Sequence, residues 1–409
     1  MQIWKEPMLS LARWMALLVC LGGVICAATG RADALLPEYH VYAGNTHSHT
    51  ANTWGHGEQY GKPAPVPGES QQKPRKTRIL KPDWQKYQGP PSAHYALAKA
   101  KGFDFYVTAD HSQEAGFQPP RADNPAWVAA KRDAAAATDG QFVAIAGYEH
   151  SENNGPNGTG HLNVINSSEY LNALLPGVDL PYLYKWLKTV PPNGDGPVVA
   201  SFNHPAAHGY NNWAWCDPQV REVLTLLEVI NSNNKIHYSA FVNALDKGWK
   251  VSPVCGLDNH GFSGITHNTS RTFVLATART KAAILDAMKH RRTYAALEGN
   301  IQCRYTVNGA AMGSTLNRPT AFNFCIAVSD PDISNPEDKI TKIDIVKDSG
   351  AVAQVYSPVP AYSVTWSPIL SDATNRYFFV RVWNAGGGDA PGGGPAKPVA
   401  WLAPIWTGR

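Results

Sequence analysis

The chain of 409 residues is 44% hydrophobic and 17% charged, a balance typical of globular proteins that excludes a disordered or fibrous chain. Its 36 basic and 32 acidic residues give a formal net charge of +4 with no concentrated basic stripe, so the sequence does not indicate a nucleic-acid partner. A small anionic substrate is compatible with this charge, and the length suffices for one large domain and a smaller one.

The N-terminal residues predict an export signal. Lys5 and Arg13 precede an uncharged apolar run at 15–28, and residues 32–34 (Ala-Asp-Ala) fit a signal-peptidase site. The run is shorter than the about 20 residues that a membrane span needs, so we expect 1–34 to be a cleaved signal peptide, with an uncleaved anchor as the alternative. The mature protein is then expected to be periplasmic or extracellular and to make no membrane contact. The sequence does not indicate its oligomeric state.

Four cysteines follow the predicted signal: Cys216, Cys255, Cys303 and Cys325. An oxidising compartment permits disulfides, and an even number allows all four to pair. The pairing favoured by proximity is Cys303 with Cys325, because both lie in alternating segments that could form neighbouring strands. Four buried free thiols are the alternative.

Strand-like and helix-like segments alternate between residues 35 and 303, which predicts an α/β domain. The predicted strands are 41–50, 103–111, 142–150, 161–166, 197–204, 224–230 and 251–260. The predicted helices are 92–101, 125–137, 183–189, 238–247 and 281–290. A polar, proline-rich stretch at 61–91 is predicted to be a long loop.

The character of the sequence changes at about residue 304. Short alternating runs such as 321–328, 343–346 and 377–383 predict antiparallel strands, so we expect a small all-β, sandwich-like C-terminal domain at 304–409. The glycine-rich stretch 386–394 is predicted to be a mobile loop between two of these strands.

Nine side chains of metal-ligand type lie at the downstream ends of the strand-like runs. They are His47, His49, His56, His111, Glu149, His161, His204, Asp258 and His260. Parallel strands of a barrel end at one face, so these residues are expected to meet there although they are far apart in sequence. Imidazole and carboxylate are the usual ligands of zinc, manganese and iron, so the pattern predicts a metal centre.

The motifs around these residues occur in a definite order. They are Asn45-Thr46-His47-Ser48-His49-Thr50, Ala109-Asp110-His111-Ser112, Gly147-Tyr148-Glu149-His150, Gly160-His161-Leu162-Asn163, Asn203-His204-Pro205 and Gly256-Leu257-Asp258-Asn259-His260-Gly261. The set resembles the PHP domain, the polymerase and histidinol phosphatase superfamily of metal-dependent phosphoesterases, over about 42–300. The stretches 291–295, 377–382 and 400–406 resemble a secreted branch of that superfamily catalogued as a domain of unknown function.

The resemblance implies a distorted seven-stranded (β/α) barrel of PHP type and two or three divalent ions, Zn, Mn or Fe. It implies a first ion on His47, His49, Glu149 and Asp258, a second on His56, His111 and His260, and a third on Glu149, His161 and His204, with Glu149 bridging. Glu58 is an alternative to His56, and His150 is an alternative to His161. Asp110, Asn203 and Asn259 are interpreted as turn residues or as residues that orient the ligands.

A few further side chains are candidates for substrate contact. Arg271 and Lys235 follow strand ends and could neutralise a phosphate, a role that suits the planar guanidinium of arginine in particular. His208, His237 and His267 could also contact a substrate, and surface placement is the alternative for all three.

The leading functional hypothesis is a secreted metal-dependent phosphoesterase. Closely spaced ions lower the pKa of a shared water molecule from about 15.7 to about 7 and neutralise a phosphate, and here His47, His49, Glu149 and Asp258 would act through that water. The alternatives are hydrolysis of an amide, ester or lactone and a non-catalytic metal-binding or carbohydrate-binding protein. An Arg or Lys beside the ions would favour the phosphoester.

Overall fold

The computed structural model describes residues 38–55, 57–61, 79–152, 160–386 and 398–409. The predicted signal peptide at 1–34, the predicted ligand His56 and most of the glycine-rich stretch 386–394 lie outside these residues. Within the described part of the chain, no helix has the length and apolar character that a membrane crossing requires.

The described residues form strands and helices in a mixed order. The strands are β1 (His40–Asn45), β2 (Tyr60–Gly61), β3 (Ile79–Leu80), β4 (Phe105–His111), β5 (Val143–Glu152), β6 (Gly160–Ile165), β7 (Val199–Asn203), β8 (Leu224–Asn231), β9 (Lys235–Ile236), β10 (Ser252–Cys255), β11 (Arg271–Ala276), β12 (Thr293–Ala296), β13 (Gln302–Val307), β14 (Ala310–Ala311), β15 (Ala321–Ser329), β16 (Ile340–Lys347), β17 (Val352–Tyr356), β18 (Ser363–Trp366), β19 (Ile369–Ser371), β20 (Tyr377–Asn384), β21 (Ala400–Leu402) and β22 (Ile405–Trp406). The helices are α1 (Pro91–Ala100), α2 (Pro125–Ala137), α3 (Leu180–Leu187), α4 (Gly209–Trp213), α5 (Tyr238–Asp246), α6 (Ser263–His267) and α7 (Lys281–Lys289). Short 3-10 turns cover Trp84–Lys86, Ala115–Phe117, Val220–Glu222, Pro336–Asp338 and Asp348–Gly350.

Helix starts follow from side chains that accept hydrogen bonds from free backbone N–H groups. Asn124 accepts from two backbone amides at the start of α2, and Thr280 accepts from one at the start of α7. Asp179 caps α3, which therefore begins at Leu180, three residues before the predicted start.

A mixed sheet of fifteen strands dominates the fold. Its order is β10-β8-β7-β6-β5-β4-β1-β11-β12-β21-β20-β16-β17, with β9 on β8 and β22 on β20. The pairs β1–β4, β4–β5, β7–β8 and β8–β10 are parallel, whereas β6 is antiparallel to both β5 and β7. The predicted α/β class is confirmed, and the seven-stranded barrel stays a prediction.

The C-terminal strands divide between two sheets. β16, β17, β20, β21 and β22 continue the large sheet, whereas β13, β14, β15, β18 and β19 form a second sheet. The two sheets enclose a core of apolar side chains that includes Tyr294, Tyr305, Phe324, Ile343 and Phe378. The described residues beyond 304 contain strands and two 3-10 turns but no α-helix. The domain boundary at 303 stays a prediction.

The two ends of the ligand-bearing part of the sheet touch one another. The backbone N–H of Asp258, beyond β10, donates to the carbonyl of His47 at 3.0 Å. The backbone N–H of His49 donates to the carbonyl of Asn259 at 2.9 Å. On β10 itself, the N–H of Cys255 donates to the hydroxyl of Thr272 on β11. These contacts bring the residues after β10 beside those after β1.

The inner face of this curved sheet is apolar at one end and carries the ligands at the other. Val143 and Ile145 of β5 lie in the inner core, and Glu149 follows on the same face because side chains alternate along a strand. Val107 and His111 have the same relationship on β4. Helix α7 packs against this inner core with Ile284, Leu285 and Met288. Apolar packing therefore closes one end of the inner face, and the predicted ligands lie at the other end.

The predicted disulfide between Cys303 and Cys325 is wrong, because Cys303 is a free thiol. In the antiparallel pair of β13 and β15, Cys303 lies opposite Val328, and Cys325 lies opposite Thr306. Cys303 is on the buried face and Cys325 is not, so their side chains point to different sides. Cys325 is not a free thiol, so the alternative of four free thiols is also wrong.

Candidate metal centre

The predicted ligands meet at the polar end of the large sheet. Those within the described residues form one group, which we call the histidine cluster: His47, His49, His111, Glu149, His161, His204, Asp258 and His260. His56 lies outside the described residues. The imidazole rings are close together, with centroids 4.0 Å apart for His49 and His260 and 4.5 Å apart for His49 and His111.

Several ligands lie in the loops beyond the strands, not on the strands as expected. β1 ends at Asn45 and β10 ends at Cys255, so His47 and Asp258 follow their strands by two and three residues. The expectation that every ligand sits at a downstream strand end is wrong for His161, which is the second residue of β6. Because β6 runs antiparallel to β5, its beginning lies beside the ends of its neighbours, and the side chain still reaches the cluster.

Two histidines and two carboxylates form the deepest part of the cluster. The Nε2 atoms of His47 and His49 are 3.1 Å apart, and Asp258 Oδ1 lies 3.1 Å from His49 Nε2. Glu149 Oε1 lies 3.5 Å from His47 Nε2. His47 and His49 are fully buried, and Glu149 is 1% exposed. Two ring nitrogens at this distance can share one proton in an N–H···N hydrogen bond, and without that proton both can offer lone pairs to one cation.

Three sets of side chains each offer ligand atoms within 4.8 Å of one another. The sets are His47, His49 and Glu149; His49, His111 and His260; and Glu149, His161 and His204. Successive sets are linked, since His49 belongs to two of them and Glu149 belongs to two. The third set equals the ligand set that the PHP resemblance implies for a third ion.

Glu149 is the hub of the cluster. Its Oε2 lies 2.9 Å from Nε2 of His111, and its Oε1 lies 3.2 Å from Nδ1 of His161 and 3.3 Å from Nε2 of His204. The side-chain amide of Asn203 donates to Oε1 at 3.0 Å, and the hydroxyl of Ser151 donates to Oε2 at 3.2 Å. Asn203 therefore holds the carboxylate of Glu149, a predicted ligand, in place.

Glu228 is a buried carboxylate of the site that was not predicted from the sequence. Its Oε1 lies 2.8 Å from Nδ1 of His47, and its Oε2 accepts from the backbone N–H of His204 at 2.7 Å and from the amide of Asn231 at 2.8 Å. This contact fixes the ring of His47 so that Nε2 faces the cluster. The signal in the sequence is a single acidic residue in the otherwise apolar run of β8.

Asp110 contacts the loop after β1 that carries His47 and His49. Its carboxylate accepts from the backbone N–H and hydroxyl of both Thr50 and Thr53, at 2.6–3.1 Å. The Thr53 hydroxyl lies 3.4 Å from Nδ1 of His49. Asp110 thus orients a ligand through Thr53. Asn259 is a turn residue instead, since its amide donates to the carbonyl of Gly261.

Two of the predicted ligands have strained backbone conformations. His204 has φ of 30° and Asp258 has φ of 46°, in the left-handed region that residues with a Cβ rarely adopt. Such strain costs on the order of 1–3 kcal/mol per residue and is concentrated at functional sites. The backbone here is held in a form that aims the two side chains at the cluster.

The cluster fixes the charge of its members. Burial and then the neighbouring histidines hold the pKa of His49 well below its usual value, so the ring is neutral. Burial opposes ionisation of Glu149 and Asp258, but the surrounding imidazoles outweigh it and lower both pKa values well below the usual range. Burial also opposes a charge on His47, but Glu228 and the other carboxylates raise its pKa well above the usual value. A bound cation would displace that proton from His47.

Neither alternative ligand belongs to the three sets. His150 follows Glu149 on β5, so its side chain points to the opposite face, where Nδ1 is 3.1 Å from the carbonyl of Leu171. Burial lowers the pKa of His150 to about 4. Glu58 accepts hydrogen bonds from the backbone N–H and hydroxyl of Ser263 and belongs to none of the three sets.

Of the two cations expected to bind phosphate, Arg271 is engaged by other groups of the protein. Arg271 donates to the backbone carbonyls of Asn268 and Ser270, and its guanidinium lies 3.7 Å from the ring centre of Phe103. Lys235 is exposed. The prediction of a phosphate contact by Arg271 is therefore not supported by its geometry.

Two clefts open onto the histidine cluster. One, of about 700 Å³, is lined by His161, Asn203, His204 and residues 205–212. The other, of about 610 Å³, is lined by Glu58, Ser232, Asp258, His260 and neighbouring residues up to Thr269. His208 lines the first cleft and His267 lines the second, whereas His237 is buried with Nδ1 2.8 Å from the carbonyl of Pro205.

The wall of the first cleft has a left-handed backbone turn. Tyr210, Asn211 and Asn212 in α4 all have φ between 52° and 55°. The hydroxyl of Tyr210 donates to the carbonyls of His161 and Asn203, at 2.5 and 3.0 Å. This buried contact ties the turn to the ends of β6 and β7, so the wall of the cleft is fixed relative to the ligands.

The donor set of the histidine cluster fits divalent transition metals. Six imidazoles and two ionised carboxylates converge, a combination that suits zinc, manganese or iron better than calcium. The side chains of His161, His204 and His260 are 21–28% exposed, whereas the deepest ligands are buried. The cluster thus has a closed floor and an open rim, so further ligands from solution have access.

No family model and no curated protein matches the chain. Among solved structures, the fold is similar to that of a two-domain protein from Bacteroides vulgatus that contains a predicted PHP-like metal-dependent phosphoesterase. The identity is 15% and the TM-score 0.45, over 92% of this chain and 100% of the other. It is also similar to PsfC from Pseudomonas syringae, with 14% identity and a TM-score of 0.34 over 62% of this chain and 90% of the other. Because both TM-scores are below 0.5, function must be argued from the residues of the site.

Proposed function

We propose that the protein is an exported metal-dependent hydrolase that cleaves phosphate esters at the histidine cluster. The observation that carries the proposal is the linkage of the three ligand sets through His49 and Glu149. Shared ligands bring successive cations close together, as in hydrolases that use two or three ions. Export to the periplasm or the extracellular space rests on the predicted signal peptide at 1–34.

Some side chains of the cluster would hold the ions, and others position those side chains. Divalent ions held there would lower the pKa of a water molecule and neutralise negative charge on a phosphate. Glu149 bridges adjacent sets and is held in place by Asn203 and Ser151. Glu228 keeps Nε2 of His47 directed at the cluster. We assign Glu228 as a positioning residue, because it is fully buried and contacts the ring of His47 and the backbone of His204 but lines neither cleft.

The open rim favours an enzyme over a binding module. A structural metal site is closed by protein ligands, whereas a catalytic site keeps a position for water or substrate. His161 and His204 line one cleft and Asp258 and His260 line the other, so a substrate can approach the cluster from either side.

A second candidate function is hydrolysis of a carboxylic ester, amide or lactone. The described residues that line the two clefts include no arginine or lysine, and Arg271 is bound to backbone carbonyls. A phosphate would therefore depend on the ions for charge compensation, whereas a neutral carbonyl substrate needs less. The lack of basic side chains in the described lining of the clefts is the observation that favours the second function.

The test combines metal analysis with hydrolysis of three chromogenic esters: para-nitrophenyl phosphate, its bis ester and para-nitrophenyl acetate. The wild type is compared with His204→Ala, a ligand on the open rim, and with a His47→Ala, His49→Ala double variant of the buried floor. The matched control is His290→Ala, an exposed histidine just after α7 that lines neither cleft.

We expect two or three equivalents of Zn, Mn or Fe and turnover of a phosphate ester that falls by at least about 100-fold in both ligand variants. The His290→Ala control should keep its metal and turn over the ester. Turnover of the acetate alone would establish the second function. A protein that binds no transition metal, or one whose turnover survives both ligand variants, would exclude the proposal.

A further inference from the structure

A second group of ligand-type side chains lies outside the histidine cluster. Glu298 follows β12, Asp330 follows β15, and Asp338 lies in the 3-10 turn before β16. Each of the three offers a carboxylate oxygen, and these oxygens lie within 4.8 Å of one another. The group therefore brings strand ends from both sheets to one place.

Two of the three carboxylates are buried, and Glu298 is partly exposed. Asp330 is 3% exposed and Asp338 is 8% exposed. None of the ion pairs among the described residues includes any of the three. Nearby cations are engaged elsewhere, since Lys339 lies over the ring of Tyr362 and Lys342 lies 3.6 Å from Asp344. Buried like charges at this separation repel strongly, because the protein interior screens them poorly.

An amide at the same place adds an independent observation. Asn384 at the end of β20 is 7% exposed, and its Nδ2 donates to Glu298 Oε1 at 2.6 Å. The oxygen of the same side-chain amide, Oδ1, is buried and accepts no hydrogen bond from the described residues. The same is true of Glu298 Oε2 and Asp330 Oδ2. Buried acceptors without a donor are rare and costly, so a group of them indicates a cation as the binding partner.

The pKa values of two of these carboxyl groups are raised, which agrees with their crowding. Burial, and then the contact with Asp338, raises the pKa of Glu298 to about 8. Burial, with Asp338 as a further cause, also raises the pKa of Asp330. A proton is one means of relieving the repulsion, and a cation that displaces it is another.

We propose that Glu298, Asp330, Asp338 and Asn384 form a binding site for a hard divalent cation, with Ca²⁺ as the best fit. The donors are all oxygens, which suit Ca²⁺ or Mg²⁺, whereas the imidazole-rich histidine cluster suits transition metals. Carboxylates and an amide oxygen from four separate chain segments provide the adaptable geometry that Ca²⁺ accepts and Mg²⁺ does not. The ion would tie together the ends of β12, β15 and β20 and the start of β16.

The experiment uses the full chain after treatment with a chelator. Its melting temperature and calorimetric heat are measured as Ca²⁺ is added, with Mg²⁺ and Zn²⁺ as comparison ions. We expect a rise in melting temperature on the order of 5 °C at Ca²⁺ about a hundredfold above the dissociation constant. Glu298→Gln and Asp338→Asn should abolish the rise. Glu298→Gln has nearly the same shape and cannot carry a repelling charge, so it should fold without the ion.

The controls separate this site from the histidine cluster. Glu337→Gln removes an exposed carboxylate from the same 3-10 turn and should leave the Ca²⁺ response unchanged. His204→Ala should also leave it unchanged, because that residue belongs to the other site. The proposal is overturned if the wild type does not respond to Ca²⁺, or if the response persists in both Glu298→Gln and Asp338→Asn.

Discussion

Nδ1 of His47 lies 2.8 Å from Oε1 of Glu228, and both side chains are completely buried. The contact leaves His47 with only Nε2 to offer to the histidine cluster. Glu228 also accepts from the backbone N–H of His204, so one carboxylate positions two ligands. An ionisable group with no access to solvent is costly unless it is fully paired, and here it is paired with parts of the site itself.

Replacing Glu228 should therefore impair metal binding more than folding. In Glu228→Gln the shape is retained, but an amide that donates to Nδ1 of His47 would place the ring proton on Nε2 and block the ligand atom. We expect the affinity for the first transition-metal ion to fall by about 10–100-fold. The measurement is a metal titration followed by competition with a chromogenic chelator.

The control for this variant is Glu222→Gln, the same substitution at an exposed position shortly before β8. It should bind metal as the wild type does. If Glu228→Gln keeps wild-type affinity and only its melting temperature falls, the carboxylate supports the fold and does not position His47.

The third ligand set should lose its ion independently of the others. His204 is 28% exposed on the rim, so its truncation leaves no large buried cavity. In His204→Ala we expect the metal content to fall by one equivalent, with little change in melting temperature. Elemental analysis of the dialysed protein measures this, with the exposed His290→Ala as the control. Complete retention of metal in His204→Ala would show that His161 and Glu149 hold their ion without it, or that this set holds none.

Gly256 is a packing constraint on the cluster. A Cβ at this position would collide with Oε1 of Glu228 and lie 2.9 Å from Cβ of His47. Both neighbours are fully buried and paired, so neither can move aside. We expect Gly256→Ala to destabilise the protein by about 1–3 kcal/mol and to weaken metal binding as well, measured by urea denaturation and by metal titration.

The matched control is Gly140→Ala, because a Cβ there would meet nothing within 4 Å. It should change the free energy of unfolding by less than about 0.5 kcal/mol. Equal stability of Gly256→Ala and Gly140→Ala would show that the backbone after β10 can shift to accept the methyl group.

The residues of the histidine cluster could be predicted because metal chemistry restricts the type of side chain that a metal centre uses. His47 and His49 with the later strand-end histidines are recognisable from residue type and order alone. Glu228 could not be assigned, because a lone acid in an apolar strand has the same sequence pattern whether it faces a site or pairs with a distant cation. Its role depends on a contact with His47, 181 residues away.

The fold was predictable to the level of its class. Alternation along the chain identified the main strands and helices, but the direction of β6 is decided by its pairing with β5 and β7, which the local sequence does not encode. The error over Cys303 and Cys325 has a similar cause. Both residues lie on neighbouring strands as expected, but the register of β13 and β15 places them on different faces.

The carboxylate group at Glu298 should make stability depend on pH when no calcium is present. Its pKa is raised from 4.5 to about 8 in the folded protein by burial and by Asp338, and Asp330 and the amide of Asn384 also face it. Between these pH values the folded state holds more protons than the unfolded state, so this group's stabilising contribution is lost as the pH rises. The melting temperatures of the wild type and of Glu298→Gln are measured in a chelator from pH 5 to pH 8.5. The wild-type value minus the variant value should fall as the pH rises toward about 8. A difference that stays constant with pH, or rises, would show that Glu298 is ionised throughout and that a cation already within the protein compensates it.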